Sequence, residues 1–228
     1  MLISMKNIKK NYKKGDNLIH ALSDISIEIK KGEMVAIMGK SGSGKSTLLN
    51  IMAGLDILDS GEYLFEEKTV DFSNQQTLSD FRRENIGFVL QNSALIDEKN
   101  VFNNIALPLK YKRLSLKDIN IKVNETAKNF AINDCLSAFP SQLSGGQAQR
   151  AAIARAVITE PNVVLADEPT GALDEETGKS IMFNFKKINL SGKTVIIVTH
   201  DKNIAEQCDR TIYIKDGKIV LKQQSLEE

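Results

Sequence analysis

Between residues 39 and 47 the chain reads Gly39-Lys40-Ser41-Gly42-Ser43-Gly44-Lys45-Ser46-Thr47, three glycines closing on a lysine and two hydroxyls. Glycines let a backbone curl until successive N–H groups face one concavity, and such a nest holds anions. Where the curl opens a helix, the unpaired N–H groups of the first turn strengthen it. The spacing matches the P-loop pattern, in which the lysine bridges the β- and γ-phosphates of a nucleotide and the next hydroxyl ligates Mg²⁺. Lys45 and Ser46 hold those two places. A glycine-rich turn that merely caps a helix calls for neither. A second group is Asp167-Glu168-Pro169, adjacent carboxylates directly after the apolar run Val163–Ala166. Asp167 is placed to hold Mg²⁺ through water, because that ion keeps much of its hydration shell. Glu168 precedes a proline, which predicts an extended backbone, and from there it can orient and polarise an attacking water. Alone, an acidic pair is more simply a helix cap; beside a P-loop it reads as catalytic. A third group, Leu143-Ser144-Gly145-Gly146-Gln147, opens another helix with a small hydroxyl and two glycines. That tip also suits a phosphate, although Ser144 by itself is equally an ordinary N-cap.

These groups need elements to carry them. Short apolar or β-branched runs alternate with helical stretches, the pattern of an α/β domain. Leu2–Tyr12 and His20–Lys30 read as antiparallel strands. Met34–Met38, Gly87–Leu90, Val163–Ala166 and Thr194–Thr199 are apolar throughout, as strands buried on both faces of a mostly parallel sheet are. Each runs straight into a glycine or polar residue: Gly39, Gln91, Asp167 and His200. Ligands of open α/β sheets bind outside the carboxyl ends of the strands, so four parallel strands would bring these groups to one edge. Helices are expected at Lys45–Ala53, Leu116–Phe130, Ser144–Thr159 and Glu175–Leu190, and Asp216-Gly217 marks a tight hairpin near the end. From about 92 to 159 there is no convincing buried strand.

Thirty basic and 29 acidic residues leave a formal charge of +1 over 228 residues. Such a balance gives no field toward nucleic acid or an anionic membrane. No apolar run approaches the roughly 20 residues that cross a bilayer, and the first ten residues lack the apolar core of a signal peptide. Cys135 and Cys208 have no metal-like spacing and read as free thiols. The chain is expected to be cytoplasmic, with any membrane role supplied by a partner.

Leu143–Gln147 together with Gln149-Arg150 resembles the signature of the ABC ATPases, and the other motifs fall in that family's order along essentially the whole chain. The resemblance implies a P-loop NTPase (RecA-like) core with a mostly parallel sheet, an N-terminal antiparallel β subdomain and an inserted helical subdomain. It implies one ABC ATPase domain over 1–228, with its core at 1–91 and 160–228 and the insertion at about 92–159. It gives Tyr12 the role of stacking on adenine and Gln91 that of sensing Mg²⁺ and the γ-phosphate. Asp174, in Ala172-Leu173-Asp174, falls at the dimer interface, and His200 contacts the γ-phosphate. One ATP has one γ-phosphate while the chain has two phosphate-binding helix tips. The family resolves this by pairing subunits head to tail, with ATP between the P-loop of one and Ser144-Gly145-Gly146 of the other. A homodimer in the ATP state with two competent sites is therefore expected, with ATP and Mg²⁺ as its ligands.

Within the family, Ala166–Asp174 and Leu107-Pro108-Leu109 resemble the subgroup of macrolide and antimicrobial-peptide export, lipoprotein release and a cell-division complex. This implies an integral membrane permease as partner, a position on the inner face of the cell membrane, and no nucleic acid. Export of antimicrobial peptides or drugs, or resistance to them, is the leading expectation. Lipoprotein release, or regulation of a cell-division complex without transport, is the alternative. Two departures stand out: Ala148 lies where glutamine is frequent, and Asp97-Glu98-Lys99 replaces a more apolar stretch. The second bears on the groove that would receive the membrane partner.

Overall fold

The computed structural model describes residues 1–15 and 17–221. Two sheets and a helical layer organise them. The first sheet is antiparallel, in the order β2-β1-β4-β5: β1 (Ile3–Lys14), β2 (Asn17–Ile29), β4 (Ser60–Phe65) and β5 (Lys68–Thr69). The second has the order β10-β9-β3-β8-β7-β6. Its strands are β3 (Met34–Met38), β6 (Ile86–Val89), β7 (Val163–Asp167), β8 (Thr194–Val198), β9 (Arg210–Lys215) and β10 (Lys218–Val220). All neighbours in it are parallel except the terminal hairpin β9–β10.

The continuous apolar runs are explained by burial on both faces. Val35, Ile37, Leu165, Ile196 and Val198 face a core shared with the antiparallel sheet and with α1 (Lys45–Met52). Their alternates Met34, Val164, Ala166, Val195 and Ile197 face the helical side. That side is built by α3 (Val101–Tyr111), α4 (Leu116–Asn129), α5 (Gly145–Val157) and α6 (Glu175–Leu190). Between β6 and β7 the described residues form helices and 3₁₀ turns and no strand. The remaining α-helices among the described residues are α2 (Gln75–Asn85) and the short α7 (Lys202–Ala205). Cys135 and Cys208 are both unpaired, and burial pushes the Cys208 thiol up to about 11. No described helix is long and apolar enough to cross a membrane.

Strand order decides where the motifs meet. β3, β8, β7 and β6 lie side by side and run the same way. Their carboxyl ends therefore open on one edge.

Candidate functional site: a cleft at the carboxyl edge

That edge holds a cleft of about 760 Å³ whose walls include Tyr12, Lys40, Ser41, Gly42, Gly44, Lys45, Ser46, Thr47, Gln91, Asp167, Glu168 and His200. The loop from β3 to α1 forms its floor. Every other α-helix described has a side-chain cap on its first turn, whereas α1 has Gly44 at its N-cap and none. Its leading N–H groups are left for an outside acceptor. Gly44 has φ 103, in the left-handed region that glycine enters without cost.

The loop is backed by the last hairpin. Gly217 N–H donates to Ser43 O at 3.0 Å while Gly217 O accepts from Ser23 N–H at 2.8 Å. Asp216 and Gly217 have φ 49 and 71, the primed turn expected from the sequence. Gly39 is pressed against β9: a Cβ there would lie 2.1 Å from Ile214 O and 2.6 Å from Ser43 Oγ. Ser43 Oγ is buried and has no hydrogen-bond partner. Overpacking of this kind costs about 1–3 kcal/mol. Gly39→Ala is therefore expected to lower the Tm of the nucleotide-free chain by roughly 2–12 °C. A melting curve that overlays the wild type would show that the loop does not pack as described.

Lys45 Nζ donates to Gly39 O and Lys40 O, each at 2.8 Å, so the ammonium spans the mouth of its own loop. Burial lowers its pKa, and the charges of Glu168 and Asp167 work against that. Glu168 Oε1 accepts from His200 Nδ1–H at 2.8 Å; the imidazole is 72% exposed and the carboxylate 16%. The Glu168 backbone departs from the extended form that its proline neighbour predicts. Its φ is 46, because its N–H is drawn to Val198 O of β8 (2.9 Å) and its carbonyl closes a turn with Gly171 N–H (3.1 Å). Left-handed backbone at a residue with a Cβ is costly and persists only where its surroundings fix it. Here one hydrogen bond to the sheet and one that closes the turn do so. The Gln91 amide lies across this turn, 3.2 Å from where a Cβ on Gly171 would sit.

Tyr12 reaches the cleft with its hydroxyl donating to Asp56. Burial first, and the Asp56 bond second, raise its pKa. Lys10 braces the same carboxylate at 2.7 Å and lies 5.0 Å from the ring centroid of Tyr12. Ile19 and His20 also line the cleft, although no sequence motif marks either of them. The reason is the length of the hairpin: β2 begins at Asn17, before the expected start at His20, and pairs Ile19 with Tyr12.

Ser144, Gly145, Gly146, Gln147 and Asp174 are not brought to this cleft. Ser144 caps α5 through its bond from Gln147 N–H (3.3 Å), and Gln147 Oε1 accepts one in return from Ser144 N–H (2.9 Å). Asp174 caps α6, accepting from Thr177 N–H and Thr177 Oγ1 at 2.9 and 2.7 Å. The two helix tips abut: a Cβ on Gly145 would stand 3.2 Å from Leu173, and one on Gly146 2.6 Å from Thr177. They form a second, outward-facing surface.

A parallel sheet that delivers a glycine-cradled lysine and two carboxylates to one edge is the frame of a P-loop nucleoside triphosphatase. The family model for ABC transporters matches residues 22–171, and the chain belongs to that family as an ATP-binding, ATP-hydrolysing subunit. It is 46% identical over 224 residues to an uncharacterized ABC transporter ATP-binding protein, MJ0796, of Methanocaldococcus jannaschii, with 96% of this chain and 95% of that protein covered. Another uncharacterized ABC transporter ATP-binding protein, YvrO of Bacillus subtilis, is 40% identical over 96% of each chain. The macrolide export ATP-binding/permease protein MacB of Escherichia coli is 41% identical over the whole chain, which spans 35% of that relative. Among solved structures, the dimeric MJ0796 cassette in a post-hydrolysis state bound to ADP and Pi superposes with a TM-score of 0.90 at 42% identity. It covers 96% of this chain and 97% of that one.

Proposed function

We propose that this chain works as a head-to-tail homodimer that hydrolyses MgATP and drives a separate membrane permease. The observation that carries this reading is that one phosphate-binding tip lines the cleft and the other lies outside it. The P-loop lines the cleft, while Ser144 and Gly145 of the other tip are exposed beside Asp174. A second copy related by a twofold axis supplies the missing tip to each cleft. The MJ0796 structures are dimeric, one of them with ADP and Pi, which supports a dimer.

In this scheme Gly39 to Thr47 cradle the phosphates, Lys45 bridges the outer two, and Tyr12 stacks on the base with Ile19 beside it. Ser46, Asp167 and Gln91 are hydroxyl, carboxylate and amide oxygens on one cleft, the hard donor set that suits Mg²⁺. Bound there, the ion would neutralise phosphate charge. Glu168 orients the attacking water. His200, its Nδ1–H committed to Glu168, turns its other nitrogen toward the γ-phosphate. The core at 1–91 and 160–228 carries the cleft, and the helical insertion at 92–159 carries the partner-facing tip. A groove of about 400 Å³, lined by Ile86, Phe88, Leu107, Pro108, Tyr111 and Arg155, is an apolar seat for the permease. That partner would hold the chain at the inner face of the membrane. The likeness to macrolide exporters favours export of drugs or antimicrobial peptides over lipoprotein release or cell-division control.

Gly145→Asp tests the pairing. An acidic residue in the first turn is tolerated by a helix, but it repels the partner's nucleotide. The variant is expected to bind ATP within about twofold of wild type and to lose at least about 100-fold in turnover, in keeping with the loss of a phosphate-binding contact made only in the assembled site. Turnover at the wild-type rate would end the head-to-tail reading.

A further inference from the structure

α5 grips the segment that carries Gln91 at three points. Gln149 Nε2 donates to Leu90 O at 3.4 Å from a side chain only 3% exposed. Further along the same helix, Arg155 Nη1 donates to Ala94 O at 2.7 Å and Nη2 to Ser93 O at 2.9 Å. Ser93 and Ala94 have φ 55 and 46. Two successive residues with a Cβ rarely enter the left-handed region together, and they stay there only when their surroundings hold them; local bonds to Leu90 O and Asn92 O take their N–H groups, and Arg155 takes their carbonyls. The planar fork of the guanidinium meets both carbonyls at once, which a lysine ammonium does not reproduce. Upstream of this pair, the Gln91 side chain lies over the turn made by Glu168 and Gly171. At its other end, α5 begins with Gly145 and Gly146. One helix thus bears the tip offered to the partner subunit and the clasp on Gln91 of its own cleft. Arg155 also lines the apolar groove with Leu107, Pro108 and Tyr111.

We propose that Arg155, seconded by Gln149, is the positioning residue for Gln91, fixing the Ser93 and Ala94 carbonyls so that α5 carries Gln91 and the partner-facing tip as one body. The inference rests on the role proposed for Gln91 in the hydrolysis of MgATP.

A double-mutant cycle on the full chain tests it, reading Mg²⁺-dependent turnover and the affinity for a fluorescent ATP analogue. Gln91→Ala and Arg155→Ala are each expected to lower kcat about tenfold with affinity held within about twofold. The double variant should fall no more than about twofold below either single, since residues acting as a unit are not additive. Arg155→Lys should recover less than half of the loss. Adding Ala94→Gly to Arg155→Ala should raise kcat about threefold, because glycine holds that backbone without help. Losses that multiply to about 100-fold in the double variant would mean that Arg155 acts apart from Gln91, and the proposal falls. Wild-type turnover in Arg155→Ala overturns it as well. Wild-type turnover in Gln91→Ala instead overturns the role of Gln91, and the clasp goes with it. If Arg155→Ala does not fold, Arg155→Gln goes through the same cycle with the same outcomes deciding.

Discussion

Glu168→Gln is expected to bind ATP, to stop turning it over, and to accumulate as an ATP-held dimer. Glutamine keeps the shape of the side chain and can still meet His200 Nδ1, 2.8 Å away in the wild type. It leaves the φ of 46 in place, because the bonds that fix it run from the backbone to Val198 and Gly171. What it removes is the negative charge that polarises water. Losing a positioned base costs about 10²–10⁴ in rate. The same change removes a repulsion between a carboxylate and the γ-phosphate, so the closed pair is held longer while its glue stays uncleaved. Size-exclusion chromatography with and without MgATP, run beside a phosphate-release assay, reads both effects. A protein that remains monomeric and hydrolyses at the wild-type rate would remove Glu168 from the chemistry.

Lys45→Ala should fail one step earlier, at binding. Lys45 is 8% exposed and its ammonium is already bonded to Gly39 O and Lys40 O, so ATP must win it from two neutral carbonyls. A phosphate accepts the same hydrogen bonds and adds a full Coulomb attraction that a neutral carbonyl lacks, which settles that contest in favour of phosphate. Truncating one partner of a desolvated charge pair costs about 2–5 kcal/mol. Affinity for ATP is therefore expected to fall about 100-fold, equivalent to ~2.8 kcal/mol. Titration with a fluorescent ATP analogue measures it, and an unchanged Kd would contradict the assigned role. Together the two substitutions separate grip from chemistry: one binds and stalls, the other does not bind.

The motifs and their supporting strands were legible because each reports a local constraint. Met34–Met38 and Thr194–Val198 are buried residue by residue, so no polar position interrupts them. The loop at Gly39 to Thr47 announces itself by glycines that a Cβ would disrupt. Elements without such a constraint were missed. β4 starts with three exposed residues and β5 has only two. α2 fully buries only Leu78. α3 carries Pro108 within it, a residue that argues against a helix when read alone. Tertiary facts were beyond a linear reading. The φ of Glu168 is set by Val198, thirty residues away along the chain. The bracing of Tyr12 by Lys10 and Asp56 requires β1 to meet the loop after α1. The fork of Arg155 on Ser93 and Ala94 joins segments about sixty residues apart.

Gly217, at the tip of the terminal hairpin, leans on the back of the glycine loop through Ser43 and is itself tied to Ser23. During synthesis the turn is made about 170 residues after the loop it backs. A growing chain folds the parts it has, so most of the sheet can form while the anion nest still lacks its rear wall. ATP therefore meets a finished receptor only after residue 217 has emerged.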